Sequence, residues 1–119
     1  MSMSRLVDFK EVTQHKLAFL QVRANNPVLS ANISLCRALM HDTGKAINIL
    51  LFGDRISTAI HRKLAGHHNF RTKKDLWEGI CDWECARITK PQKPLDARGT
   101  WVRFYNHLPC LDMLDMAGL

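Results

Sequence analysis

Residues 66–88 read GHHNFRTKKDLWEGICDWECARI. Thr72-Lys73-Lys74-Asp75 has the form of a capping box, a hydroxyl residue followed three positions later by an acid, and it predicts a helix over 73–88. Asp is a weaker third member of that box than Glu or Gln. At 100° per residue, Leu76, Trp77, Ile80, Cys81, Cys85 and Ile88 share about half the circumference, with Trp83 at its edge. Asp75, Glu78 and Asp82 occupy the other side. Glu84 falls inside the apolar arc, within reach of Arg87 three residues on. Gly66 ends whatever precedes this helix, and His67 to Arg71 form a polar and basic turn.

Working outward, residues 5–24 carry Leu6, Phe9, Thr13, Leu17, Leu20 and Ala24 at helical spacing, with Val7, Val12, Phe19 and Val22 widening the stripe. Asn25-Asn26-Pro27 stops this helix. Asn26 caps the next one, since Pro27 lacks only an N–H that has no partner in a first turn. Leu29, Ile33, Cys36 and Met40 form its stripe, and His41-Asp42-Thr43-Gly44 ends it. KAINILLFGD, 45–54, fits a short helix or a short buried strand; helix is favoured because strand partners are scarce. Asp54 caps a further helix ending at Gly66, with Ile56, Ile60 and Leu64 on one face. TKPQKPLDARG, 89–99, has two prolines and a glycine and is a loop. TWVRFY, 100–105, is the other strand-like run, and a last helical turn or two spans 108–116. The fold class is therefore mainly α: a single small helical domain, 1–119, of about four to five helices, with a two-stranded element open between 45–52 and 100–105.

The chain has 119 residues, which suits one domain, and 46% hydrophobic residues are enough to build a core. No apolar run approaches the length needed to span a bilayer. The N-terminus MSMSRLVDFK has no apolar signal segment, and Cys36 sits among Leu35, Leu39 and Met40 as a small hydrophobe. Cys36, Cys81, Cys85 and Cys110 are thus expected as free thiols in a reducing cytoplasm, with no membrane association.

Metal and thiol chemistry have little support in spacing. Cys81 and Cys85 are four apart inside a helix, with His67 and His68 upstream, and no second close cysteine pair completes a tetrahedral set. Packing in the core accounts for both cysteines. His107 precedes Cys110 in HLPC, but a nucleophile needs a base placed by the fold. No cofactor, metal ligand or catalytic residue is assigned, and the chain is expected not to be an enzyme.

The formal net charge of +6 points to an acidic partner. Between Arg55 and Lys74 lie six basic residues and no acid. Arg55, Arg62, Lys63, Arg71, Lys73 and Lys74, with His67 and His68, form a candidate phosphate-backbone grip, joined by Lys90 and Lys93 from the proline loop. A run of charge is also what an ordinary solvated face looks like. Trp101, Arg103, Phe104 and Tyr105 are of the types that anchor protein interfaces. The expected function is non-enzymatic binding of nucleic acid, DNA or RNA, through a basic surface. The alternative is a small inhibitor or adaptor, of the kind mobile elements encode, that binds a larger protein through an acidic face. The oligomeric state is not legible.

Two short resemblances accompany these readings. His41-Asp42 in MHDTG, 40–44, resembles the His-Asp pair with which metal-dependent phosphohydrolases bind their metal. The likeness spans two residues, and the other histidines show no supporting motif. WVRFYNH, 101–107, resembles a run near the end of integrase-type transposases, where an aromatic-Asn-basic segment precedes Arg-Pro-His. The Pro-His step is absent here, no acidic triad can be assigned, and no residue role is carried over.

Overall fold

A computed structural model describes residues 3–41, 70–89 and 96–119. Six helices occur among them: α1 (Met3–Asn25), α2 (Pro27–Asn32), α3 (Leu35–Met40), α4 (Lys73–Thr89), α5 (Ala97–Phe104) and α6 (Leu111–Met116). No strand occurs among the described residues, and none of their helices is long and apolar enough to cross a membrane. The mainly α class expected from the sequence is the class observed.

α4 is the centre of the assembly and packs against α1, α2 and α5. Its start is the reciprocal capping box. Thr72 Oγ1 accepts from the Asp75 N–H at 3.2 Å, and Asp75 Oδ2 accepts from the backbone N–H groups of Thr72 and Arg71 at 3.1 and 3.0 Å. Three otherwise orphaned helix-entry donors or near-neighbours are satisfied in this way. Leu76, Trp77, Ile80, Cys81, Trp83 and Cys85 enter the core as expected, whereas Ile88 is half exposed at the fraying end. Asp75 and Glu78 are buried as well, so both sides of α4 face protein rather than water. Glu84 pairs with Arg87 at 3.0 Å and accepts the Ala97 N–H at 3.1 Å, which ties the start of α5 to α4.

α1 is longer than expected and buries a different stripe. Ala18 and Phe19 are in the core, with Leu20 and Val22 against it, while Leu17 is 62% exposed. The aromatic ring, with the largest apolar area on that turn, takes the inside position, and the helix rotates to follow it.

The second helix is two helices. Asn26 caps α2 as expected, accepting from the Val28 and Leu29 N–H groups, and its amide donates to the Ala117 carbonyl at 2.9 Å. Ile33 then adopts an extended conformation (φ −120°, ψ 114°) and Ser34 opens α3 by accepting from the Arg37 N–H. The new cap inside the expected helix breaks its periodicity. Leu29, Ile33 and Ala38 are buried, but Cys36 is exposed and Met40 is 63% exposed. Cys36 is thus not a core residue.

TWVRFY is not a strand over 100–104. Asp96 Oδ1 accepts the Gly99 N–H at 2.8 Å and starts α5 within the expected loop, and α5 runs to Phe104. β-rich composition yields here to a good cap and to packing on α4. The expected elements at 45–52 and 54–66 lie outside the described residues.

Candidate metal centre

His15 and Phe19 are one turn apart on α1 and so share a face. The Phe19 ring lies flat on the His41 imidazole, with centroids 3.9 Å apart and planes 15° from parallel. His41 follows α3 as its C-terminal cap, and its N–H donates to the Ala38 carbonyl. Its side chain is wholly buried. Facing these two histidines on α4 are Asp75, Glu78 and Asp82, spaced three and four apart and therefore stacked along one face.

Three ligand-type atoms converge. His15 Nε2 is 2.6 Å and His41 Nε2 is 3.1 Å from the same oxygen, Asp82 Oδ1. One ligand atom from each of His15, His41 and Asp82 can be chosen so that all lie within 4.8 Å of one another. Around a tetrahedral ion with bonds of about 2.1 Å, ligand atoms stand about 3.4 Å apart. Small movements of His15 and Asp82, both about a fifth exposed, would open that space. His41 is fixed, while the other two give the cluster its access to solvent.

The proton count supports a cation. His41 Nδ1 is 3.0 Å from Glu78 Oε2, so both ring nitrogens of one imidazole face carboxylate oxygens. A neutral imidazole has one N–H. A second ring proton satisfies both contacts at these distances; a metal ion in place of the Nε2 proton would need the ligand atoms to part to about 3.4 Å. Burial alone would push the Asp82 carboxyl up, but hydrogen bonds to His15 and His41 outweigh it and hold the group well below the usual carboxylate range. Asp82 is therefore an anion at neutral pH.

A salt-bridge chain backs the cluster. Arg37 Nη1 donates to Glu78 Oε1 at 3.2 Å and to Asp75 Oδ1 at 2.9 Å. Asp75 is held below its ordinary value: burial works against ionisation, and Arg37 together with the Thr72 and Arg71 N–H groups overcomes it.

The residues singled out from the sequence fall elsewhere. Arg71, Lys73 and Lys74 are exposed together at the start of α4. Trp101 is half-buried and its Nε1–H donates to the Leu108 carbonyl at 2.9 Å. Tyr105 is half-buried, stacked on Trp83 with centroids 4.8 Å apart. Arg103 and Phe104 are exposed, the guanidinium 5.4 Å from the Phe104 ring centroid. Arg55, Arg62, Lys63, His67, His68, Lys90 and Lys93 lie outside the described residues. The Cys81 and Cys85 pair is buried, and Cys81 donates to the Phe19 carbonyl. Its hydrogen bond to Cys85, with burial, pushes the Cys85 thiol far above its ordinary value. Cys110 is pushed up by burial to about 11, the opposite of an activated nucleophile.

His15, Glu78 and Asp82 were not anticipated as site residues, and His41 only through its pairing with Asp42. The available signal was the spacing of acids along 75–82, set beside a histidine four residues from a phenylalanine. Comparison of the chain with protein-family models, curated proteins and solved structures finds no match.

Proposed function

We propose that this protein binds a divalent metal ion through His15 Nε2, His41 Nε2 and an Asp82 carboxylate oxygen, and uses it to hydrolyse phosphate esters. The observation that carries the metal is the convergence of two imidazole nitrogens on one anionic oxygen. Among the described residues three ligand atoms converge; catalytic sites combine three protein ligands with a position for water or substrate. An imidazole and carboxylate donor set suits zinc, manganese, iron or cobalt. Bound there, the ion would supply Lewis-acid chemistry and an activated water. The chain's own contribution is a rigid His41, clamped between Phe19 and Glu78, and two ligands on the solvent side. The phosphate-ester class rests on the exposed basic residues Arg71, Lys73 and Lys74 at the start of the helix that bears Asp82.

The test is calorimetric titration of the EDTA-stripped protein with Zn²⁺ and Mn²⁺, followed by assay of p-nitrophenyl phosphate, nucleoside monophosphates and short oligonucleotides. Expected are binding at one site, and turnover lost in EDTA and in His41→Asn and Asp82→Asn. Absence of binding would refute the metal; binding without turnover on any of these would refute the hydrolase.

A second reading, non-enzymatic binding of nucleic acid, is supported by the same exposed Arg71, Lys73 and Lys74. It predicts affinity for a labelled single strand or duplex that falls log-linearly with salt and is lost on reversing these three charges. The adaptor alternative retains Arg103 and Phe104 as exposed anchors. It predicts a partner interaction insensitive to salt and weakened by Phe104→Ala. Four free cysteines support a reducing, cytoplasmic setting under either reading.

A further inference from the structure

We propose that Glu78, held in place by Arg37, is a positioning residue that fixes the ring orientation of His41 and turns Nε2 toward the cation. This rests on the metal-binding reading above. Glu78 and Asp82 are four apart on α4, so one helix face delivers both the metal-side and the far-side partner of the same imidazole. The Glu78 carboxylate divides its oxygens: Oε2 takes His41 Nδ1 at 3.0 Å, and Oε1 takes Arg37 Nη1 at 3.2 Å. Arg37 cannot swing away freely, because the same nitrogen also serves Asp75, which is pinned in turn by two backbone N–H groups of the helix entry.

Phe19 stacks on one face of the His41 ring and limits its tilt. With the ring held between Phe19 and Glu78, Nε2 is the nitrogen that faces Asp82. A carboxylate on the far nitrogen also raises the donor strength of the ring, and loss of such a partner typically costs about 10–100-fold in metal affinity. The acid at position 78 is 6% exposed. A buried carboxylate is costly to keep, and here its two oxygens serve an arginine and a histidine ring.

The test uses the full chain, stripped with EDTA and titrated with Zn²⁺. Glu78→Gln retains a carbonyl oxygen to accept from Nδ1 but removes the charge. Its Kd for Zn²⁺ is expected to rise about tenfold. In ¹H–¹⁵N spectra of the Zn²⁺-loaded protein, the His41 Nδ1 proton is expected far downfield in the wild type, and moved upfield and faster-exchanging in the variant. A role confined to stability would lower the unfolding midpoint and leave both Kd and the Nδ1 resonance in place, and that result overturns the inference. If Glu78→Gln does not fold, Glu78→Asp replaces it, keeping the charge at shorter reach; an unchanged Kd and Nδ1 resonance there also overturns it. The metal-binding reading fails separately, through absence of Zn²⁺ binding by the wild type or full retention of it by His41→Asn. Either of those results removes the present inference too.

Discussion

Replacing Arg37 with methionine tests the buried charge chain directly. The Arg37 side chain is 32% exposed, but the two carboxylates it joins are each only 8% exposed. Methionine keeps most of the aliphatic stem, so the loss is chiefly of charge and hydrogen bonds. At an effective dielectric of 20, each contact is worth about 4 kcal/mol before desolvation is counted. Removing one partner from a buried pair costs about 3–5 kcal/mol, and the partial exposure of Arg37 lowers the expectation here to about 2–3 kcal/mol at pH 7. The pH dependence carries the sign. In the wild type, Asp75 ionises below its ordinary value, so its contribution is present above the unfolded pKa of about 3.9 and is lost as pH falls through the folded value. Without Arg37, burial still opposes ionisation and the strongest opposing hydrogen bond is gone, so the folded value of Asp75 rises. The variant then takes up its proton on acidification earlier than the wild type does, and the stability gap between them narrows from pH 7 toward pH 4. Urea unfolding in EDTA at pH 7, 5.5 and 4, followed by fluorescence of the buried Trp77 and Trp83, measures the gap at each pH. A gap below about 0.5 kcal/mol at pH 7, the usual scatter of surface substitutions, would refute the buried ion-pair argument. So would a gap that stays constant across the series.

Two further perturbations examine the frame around the centre. Asn26→Ala removes a cap that accepts from two N–H groups and a bond that reaches the far end of the chain at Ala117; a loss of about 1–2 kcal/mol in denaturant unfolding is expected, with Asn26→Asp recovering the cap but not the Ala117 bond. Of the four free thiols, Cys36 is exposed and the other three are buried, so Ellman's reagent under native conditions is expected to modify one thiol rapidly. Cys36→Ser should abolish that phase, and rapid modification of a second thiol would contradict the packing of Cys81, Cys85 and Cys110.

Where a helix carries its own start signal, the sequence locates it to within a residue or two. The Thr72–Asp75 box and Asn26-Pro27 both sit where local chemistry puts them, whereas the last helix, which has no side-chain cap, begins at Leu111 within the expected 108–116. Facing is harder, because it is settled by partners distant in the chain. α1 has apolar residues on most of its circumference, and what orients it is the Phe19 ring, seated on His41, with the Phe19 carbonyl accepting from Cys81 of α4. Leu17 lost that competition although its spacing matched the stripe. In α5 the aromatic and β-branched residues of TWVRFY suggest a strand, yet Asp96 supplies a helix cap and no strand partner stands beside it among the described residues.

The site was hidden by an assumption about carboxylates. Asp75, Glu78 and Asp82 lie opposite the apolar arc of α4, and on a two-layer protein that side would face water. α4 is covered on both sides, so the acidic side meets a second environment, polar but enclosed, built from His15, Arg37 and His41. Burying those acids also changes the meaning of the net charge. The +6 balance counts eleven acids, of which Asp75, Glu78 and Glu84 are withdrawn into the interior. Asp75 and Glu78 are turned inward, and Arg71, Lys73 and Lys74 stand exposed at the start of α4. Packing of one helix thus sets these two acids inside and leaves these three basic side chains outside. Under the metal-binding proposal, that separation would leave the approach of a polyanion to the two lysines and the arginine.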